Sequence, residues 1–205
     1  MNIHSIYAPI SRYFRAQRML QFSNDFVIKQ EHRILDVGGT PFNWMLLDSQ
    51  PLTFFVNLTG TTNAKNWVIA DGCVLPFGDQ SFDIVFSNSV IEHLGSFKNQ
   101  RDFAAECQRV GASYYVQTPN KWFFIEPHLI APFIHWLPRR WQLFFMRNFT
   151  IRGLLLRPNR QECERFLAEV RLLDEKEMRE LFPDAAIWRE KFLGFTKSLI
   201  AVHKP

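Results

Sequence analysis

Three short runs of this 205-residue chain carry residue types and spacings that suit chemistry. Asp36-Val37-Gly38-Gly39-Thr40 closes an apolar run with an acid and opens into a Gly-Gly turn. Glycine lets backbone come close to a ligand, and a helix that follows offers unpaired N–H groups, so this is a nucleotide-site arrangement. The same turn is also structurally useful in any α/β protein. Ala70-Asp71-Gly72-Cys73 puts a second acid at the end of another apolar run. A carboxylate there either accepts from an amine or caps the next turn. Phe82–Leu94 ends a third run at Ser87-Asn88, with Glu92 and His93 one turn later. The intrinsic pKa of histidine suits a general base near neutrality, so His93 is the catalytic candidate; the alternative is a structural histidine beside the pocket. Glu92, Asn120, Glu126 and His128 lie at or just past strand ends and are candidates to touch a substrate, against a solvated-loop reading.

The elements that must position these residues follow from periodicity. Residues 5–30 read as a helical arm, with Ile10, Tyr13, Phe14, Met19, Leu20, Phe22 and Phe26 at roughly helical spacing and Arg12, Arg15 and Arg18 between them. Arg33–Val37, Thr53–Leu58, Trp67–Ala70, Phe82–Ser87 and Ser113–Gln117 read as buried strands, and Phe42–Asp48 and Lys98–Val110 as helices. Strands alternating with helices imply a mainly parallel sheet covered on both faces. Thr59–Asn66 is too short for an ordinary parallel crossover, so no full helix is expected there. Asn159–Val170 is helical in character. Asp174 and Glu177 resemble a helix start, and that helix stops before Pro183. Ala186–Phe192 and Ser198–His203, joined through Gly194, form an antiparallel pair at a sheet edge.

Composition narrows the class. Hydrophobic residues make up 47% and charged residues 21%, which favours a packed domain over disorder. The net charge of +4 is compatible with an anionic partner without requiring one. Cys73, Cys107 and Cys163 are too scattered for a disulfide framework or zinc spacing and read as reduced thiols. No signal peptide and no membrane span are expected, and no metal site is assigned. Aromatic residues crowd into Lys121–Thr150, among them Trp122, Trp136, Trp141, Phe144 and Phe149, with Arg139, Arg140, Arg147 and Arg152 around them. So many rings exceed what a surface loop should expose. The segment 121–158 is read as a helical lid over an apolar pocket, with peripheral membrane contact through 121–150; the alternative buries its rings against Tyr13–Phe26.

Taken as an ordered set, Asp36–Thr40, Asp71 with Leu75-Pro76-Phe77, Ser81-Phe82-Asp83 with Val85, and Glu92-His93-Leu94 resemble class I S-adenosylmethionine-dependent methyltransferases of the small-molecule, "methyltransferase domain 11"-like type. The likeness spans roughly Arg33–Asn120 and continues at Phe195–Val202. It implies a single domain with a Rossmann-like, doubly wound, mainly parallel seven-stranded sheet, one antiparallel C-terminal strand and a lid insertion. Within it, 31–120 would be the cofactor-binding core and 159–205 would complete the sheet. The resemblance implies S-adenosyl-L-methionine as cofactor. Asp36, Val37, Gly38, Gly39 and Thr40 would hold its methionine part. Asn57 and Leu58 would lie by the ribose, Asp71, Gly72 and Cys73 by the adenine, and Ser87 and Asn88 by the methionine again. The implied reaction is methyl transfer to a small or lipid-like acceptor at oxygen, nitrogen or carbon, in a cytoplasmic protein with peripheral membrane association.

Three departures from the pattern bear on cofactor affinity. The glycine triplet reads Gly38, Thr40 and Phe42, the acid expected after strand two is Asn57, and the following link is short. A neutral amide bonds a hydroxyl more weakly than a carboxylate does. These departures keep open a non-catalytic binding module on the same fold. A nicotinamide dehydrogenase fits poorly because G-x-G-x-x-G is absent. Nucleic acid is not expected as a partner, since no single element carries a Lys/Arg stripe.

Overall fold

The computed structural model describes residues 3–45, 47, 50–60, 66–126 and 128–205, and the side chains of all of these but 3–11, 151 and 152. In chain order its elements are α1 (Ile3–Phe26), β1 (Arg33–Val37), α2 (Pro41–Trp44), β2 (Leu52–Asn57), β3 (Trp67–Ile69), β4 (Phe82–Asn88), α3 (Phe97–Val110) and β5 (Gly111–Pro119). There follow β6 (Ile125–Glu126), β7 (Ala131–Pro132), α4 (Arg139–Phe149), α5 (Ile151–Leu156), α6 (Arg160–Glu169), α7 (Glu175–Leu181), β8 (Ala186–Phe192) and β9 (Phe195–His203). Single 3-10 turns occupy Ile91–His93 and Ile134–Trp136.

The main sheet has the order β3-β2-β1-β4-β5-β9-β8. The first five strands pair in parallel, and β9 runs antiparallel to both of its neighbours. Strand order reverses between β1 and β4, so the crevice beyond their carboxyl ends is the ligand position of an open α/β sheet. The fold expected from the sequence is the one observed.

Alternation along the strands splits the core in two. Leu35 and Val37 of β1, Val85 of β4, and Tyr114 and Val116 of β5 face α3 and α7, where Phe103, Cys107, Met178 and Leu181 meet them. Ile34, Phe86 and Tyr115 point the other way, onto Met19 and Phe22 of α1 and onto Trp44. The Phe22 ring lies 4.9 Å from Phe86 and 5.2 Å from Tyr115. The N-terminal arm is therefore the helix that covers the second face of the sheet.

Local chemistry sets the boundaries. Ser96 accepts from the Asn99 amide at 3.1 Å and starts α3. Asn159 with Glu162 and Asp174 with Glu177 form complete capping boxes on α6 and α7. The helix expected over Phe42–Asp48 is shorter: α2 ends at Trp44, and Gln50 Nε2 donates to the carbonyls of Trp44 and Leu47. Leu46 and Asp48 of that expectation, and 61–65 of the short link after β2, lie outside the described residues. β9 starts at Phe195, earlier than expected. Leu193 and Gly194 both have positive φ (49° and 84°), which makes a two-residue hairpin turn and lets pairing resume at once.

The segment 121–158 folds as the β6–β7 pair, a 3-10 turn, α4 and α5. With α6 it builds a separate small core from Leu129, Ala131, Ile134, Met146 and Cys163. Its large rings stay outside: Trp122, Phe133, Trp136, Trp141, Phe144 and Phe149 are all exposed. Among the described residues no helix is long and apolar enough to cross a membrane.

Candidate functional site

The carboxyl ends of β1, β3 and β4 reach one edge of the sheet. After Val37 the chain turns at Gly38, whose φ is +80° and whose N–H donates to the Val56 carbonyl at 2.7 Å. A Cβ at Gly38 would lie 2.4 Å from Val90 Cγ2, and one at Gly39 would lie 1.9 Å from Asp36 Oδ2. Both positions therefore require glycine.

Two neutral side chains clamp this turn from the flanking strands. Asn57 Nδ2 donates to the Gly39 carbonyl at 2.9 Å, and Ser87 Oγ donates to the Val37 carbonyl at 3.0 Å. Asp36 points away from the edge into the core. Its Oδ2 accepts from Trp44 Nε1 at 2.8 Å, and its Oδ1 is buried without a partner. Burial raises the Asp36 carboxyl to about 7, against the opposing pull of the Trp44 bond.

Gly38 and Thr40 are exposed at this edge, and Asn88 is partly so. Asp71 is exposed one residue past Ala70, and its Oδ1 accepts from the Cys73 amide at 2.9 Å, a turn cap. Cys73 Sγ contacts the Asn99 carbonyl, and burial followed by the Asp71 charge pushes its thiol up to about 12. Three apolar side chains stand in the open just past β2, at the end of β3 and in the turn after Asp71: Leu58, Ile69 and Val74, exposed at 73%, 56% and 74%. An exposed carboxylate and uncovered apolar groups on the chain ends at a sheet's carboxyl edge suit a flat heterocycle with an exocyclic amine. The residues fit an adenosyl group on that ground. Gly38–Thr40, Leu58, Asp71 and Asn88 can face it, while Asp36, Val37 and Ser87 support the turn from behind.

A second cluster adjoins the first. His93 ends the 3-10 turn after β4, and its Nε2 lies 3.2 Å from His128 Nε2. His128 Nδ1 lies 2.7 Å from Glu126 Oε1, and Glu126 Oε2 accepts from the Leu129 amide at 2.5 Å. Glu126 is buried, so its carboxylate is held in place from both oxygens. Glu92 is fully buried; its Oε2 accepts from Thr118 Oγ1 at 2.9 Å, and its Oε1 has no partner. Burial raises Glu92 to about 7, partly offset by His128. Desolvation, then the neighbouring His128, lowers His93 to about 4. Ligand atoms of Glu92, His93 and His128 lie within 4.8 Å of one another, a set to which a divalent cation can bind.

The candidates read from sequence thus fall into two groups. Four of them, Glu92, His93, Glu126 and His128, converge. Asn120 does not join them: its Nδ2 donates to the Thr196 carbonyl at 2.8 Å and its Oδ1 accepts from the Trp122 amide, which ties the exit of β5 to β9. Sequence reasoning missed the basic wall of the adjoining cavity. Arg15 and Arg18 of α1 line it with Gln117 and Lys197. Their three-residue spacing on a helix was the available signal.

This sheet, with its glycine turn and with Asp71 at its edge, has the Rossmann-like fold seen in class I methyltransferases. Residues 51–113 match the family model described as a methyltransferase domain. Magnesium protoporphyrin IX methyltransferase from Synechocystis PCC 6803, solved with S-adenosylmethionine, aligns with a TM-score of 0.57 at 9% identity, over 100% of this chain and 85% of its own. The N-methyltransferase NodS from Bradyrhizobium japonicum WM9 aligns at 0.53 and 11% identity over 95% of each chain. The YcgJ protein from Bacillus subtilis aligns at 0.52 and 16% identity, over 87% of this chain and 71% of its own. At such identities these neighbours speak for the fold alone. No curated protein matches the chain. The matched segment and the fold support the recognition made from the residues, a class I S-adenosylmethionine-dependent methyltransferase family.

Proposed function

We propose that this protein transfers a methyl group from S-adenosylmethionine to a small or lipid-like acceptor. The observation that carries the reading is the exposed Gly38–Thr40 turn and Asp71 at one sheet edge, beside the Glu126–His128–His93 chain of contacts. The cofactor, when bound, supplies an activated methyl group, so the protein's work is to position the acceptor, exclude water and take a proton.

The hydrogen-bond chain supports one route for the proton. With Glu126 as the acceptor, His128 donates from Nδ1 and its Nε2 carries a lone pair. His93 then donates from Nε2, which leaves its Nδ1 as the basic atom. A hydroxyl or amine acceptor would give its proton to His93 Nδ1, and Glu126 would stabilise the pair as positive charge develops.

The exposed face of α4 and α5 supports contact with an anionic membrane surface. Trp141, Phe144, Phe149 and Leu154–Leu156 are exposed, and Arg140, Arg147 and Arg157 stand among them. Such a face lies in the interface of a bilayer and would bring a lipid-like acceptor to the site from a cytoplasmic protein.

Isothermal titration with S-adenosylmethionine and S-adenosylhomocysteine tests the reading. One saturable site for both is expected. No heat with either at millimolar concentration would favour the non-catalytic module, an alternative that the engagement of Asn57 with Gly39 makes specific.

A further inference from the structure

A cavity of about 320 Å³ opens beside the two histidines. Its lining includes Ser89, Glu92 and His128, the cations Arg15, Arg18 and Lys197, and the rings of Phe14, Phe123 and Phe192. Ser89 follows directly on Asn88, the last residue of β4, so the cavity and the proposed cofactor edge meet at the end of that strand.

The cations are short of hydrogen-bonded acceptors, although Glu92, whose carboxyl feels the charge of Arg18, shares the cavity. Arg18 is 7% exposed, and its Nε is buried with no hydrogen bond; its nearest carboxylate oxygen, Glu190 Oε1, is 3.6 Å away. Arg15 Nε is likewise buried and unpartnered, and its guanidinium rests 6.0 Å over the Phe42 ring. Gln117 is 1% exposed; its Oε1 accepts from Ser89 Oγ, and its Nε2 finds nothing. Lys197 donates to Glu190 Oε2 at 2.9 Å and sits 3.7 Å over the Phe14 ring. Glu190 therefore answers two of three cations, and it also accepts from Ser198 Oγ. Burial lowers the pKa of both Arg15 and Lys197. Buried donors left unpaired are costly, and they mark where a ligand's acceptors belong.

We infer that this cavity binds the methyl acceptor by an anionic group, a carboxylate or phosphate held by Arg15, Arg18 and Gln117 Nε2, with its apolar or aromatic body among Phe14, Phe123 and Phe192. The reactive atom then lies toward His128. This rests on the methyltransferase reading and narrows it: the acceptor is an acid or a phosphoester, not a neutral or cationic molecule. A planar guanidinium grips carboxylate and phosphate in the same two-pronged way, so the site itself admits both.

The experiment titrates the full chain, with and without S-adenosylhomocysteine, against three probes of one shape: benzoate, phenyl phosphate and neutral benzamide. At least one anion is expected to bind about tenfold or more tightly than benzamide, with affinity that falls as salt rises. The ratio between the two anions tells carboxylate from phosphate. Arg15→Gln is expected to remove most of that preference while leaving S-adenosylhomocysteine binding unchanged. Arg18→Gln should do the same, and its thermal melt shows whether it folds. Benzamide binding as well as both anions, or an anion preference that survives Arg15→Gln, would overturn the inference. If the anions bind and S-adenosylhomocysteine does not, the methyltransferase reading fails and the anion site stands. The reverse pattern leaves that reading intact and removes the site.

Discussion

His93 and His128 meet Nε2 to Nε2 at 3.2 Å, with their rings 86° apart, although 35 residues separate them in the chain. Glu126 holds His128 from the other ring nitrogen; in the proposed function this leaves the basic atom on His93 and lets Glu126 stabilise the charge.

That direction sets the first expectation. His93→Ala should lower kcat by about a hundredfold or more, within the range of a lost general base, and leave S-adenosylhomocysteine affinity unchanged. Glu126→Gln should reduce kcat less, since the histidine pair remains. Equal loss of cofactor affinity in both variants would mean that the cluster supports the cofactor instead.

Gly39→Ala should be among the most damaging single-methyl changes in the chain. The new Cβ would overlap the Asp36 carboxylate, which is itself fixed by Trp44. A loss of about 1–3 kcal/mol in stability is expected from overpacking, together with at least a tenfold fall in S-adenosylhomocysteine affinity. Denaturant titration and calorimetry measure the two, and a variant as stable as the parent contradicts the geometry of the turn.

Asn57→Asp sets the site's own geometry against the residue type expected there from the family pattern. By that pattern an acid would strengthen a ribose contact. In the structure the Asn57 amide donates to the Gly39 carbonyl, and a carboxylate would instead face that oxygen with a second acceptor. The variant is therefore expected to lose about 1–3 kcal/mol of stability and to bind S-adenosylhomocysteine more weakly. Tighter binding would show that Asn57 lets go of the turn to meet the ligand.

Asp36 makes stability depend on pH in a stated sense. Its folded-state pKa of about 7 exceeds the value of about 3.9 for an unfolded aspartate. Over that window the folded chain keeps a proton that the unfolded chain has lost. This group's contribution is therefore most favourable below about pH 4 and declines as pH rises to about 7. Asp36→Asn keeps an acceptor for Trp44 Nε1 and does not titrate. Its melting temperature should rise relative to the parent between pH 4 and 7, and a constant difference across that range would count against the buried acid.

Phe144→Ser with Phe149→Ser should weaken sedimentation with vesicles rich in phosphatidylserine by several-fold, without changing the melting temperature, because both rings are exposed. Unchanged sedimentation, or none by the parent, removes the membrane contact.

Much of this architecture was legible in the residues because its signals are local. Continuous apolar runs such as Arg33–Val37 could only be buried strands, and Asp174 with Glu177 marked a helix start that the structure completes as a capping box. The failures are contacts that no short window contains. Asn57 and Ser87 were read as facing a ligand, yet they bond backbone carbonyls of the glycine turn from the neighbouring strands. Asn120 looked like a strand-end contact residue, but its partners include Thr196, on a strand that pairs from the far end of the chain. Arg15 and Arg18 were read only as lying between the apolar residues of a helical arm. They line a cavity because α1 lies across the sheet and β9 brings Lys197 beside them.

The most direct test of the central claim is the crystal structure of the chain with S-adenosylhomocysteine. The adenosyl group is expected along the ends of β1, β3 and β4, with its exocyclic amine at Asp71 and its sulfur turned toward Ser89. Density at any other place, or an empty edge at saturating ligand, would contradict the account.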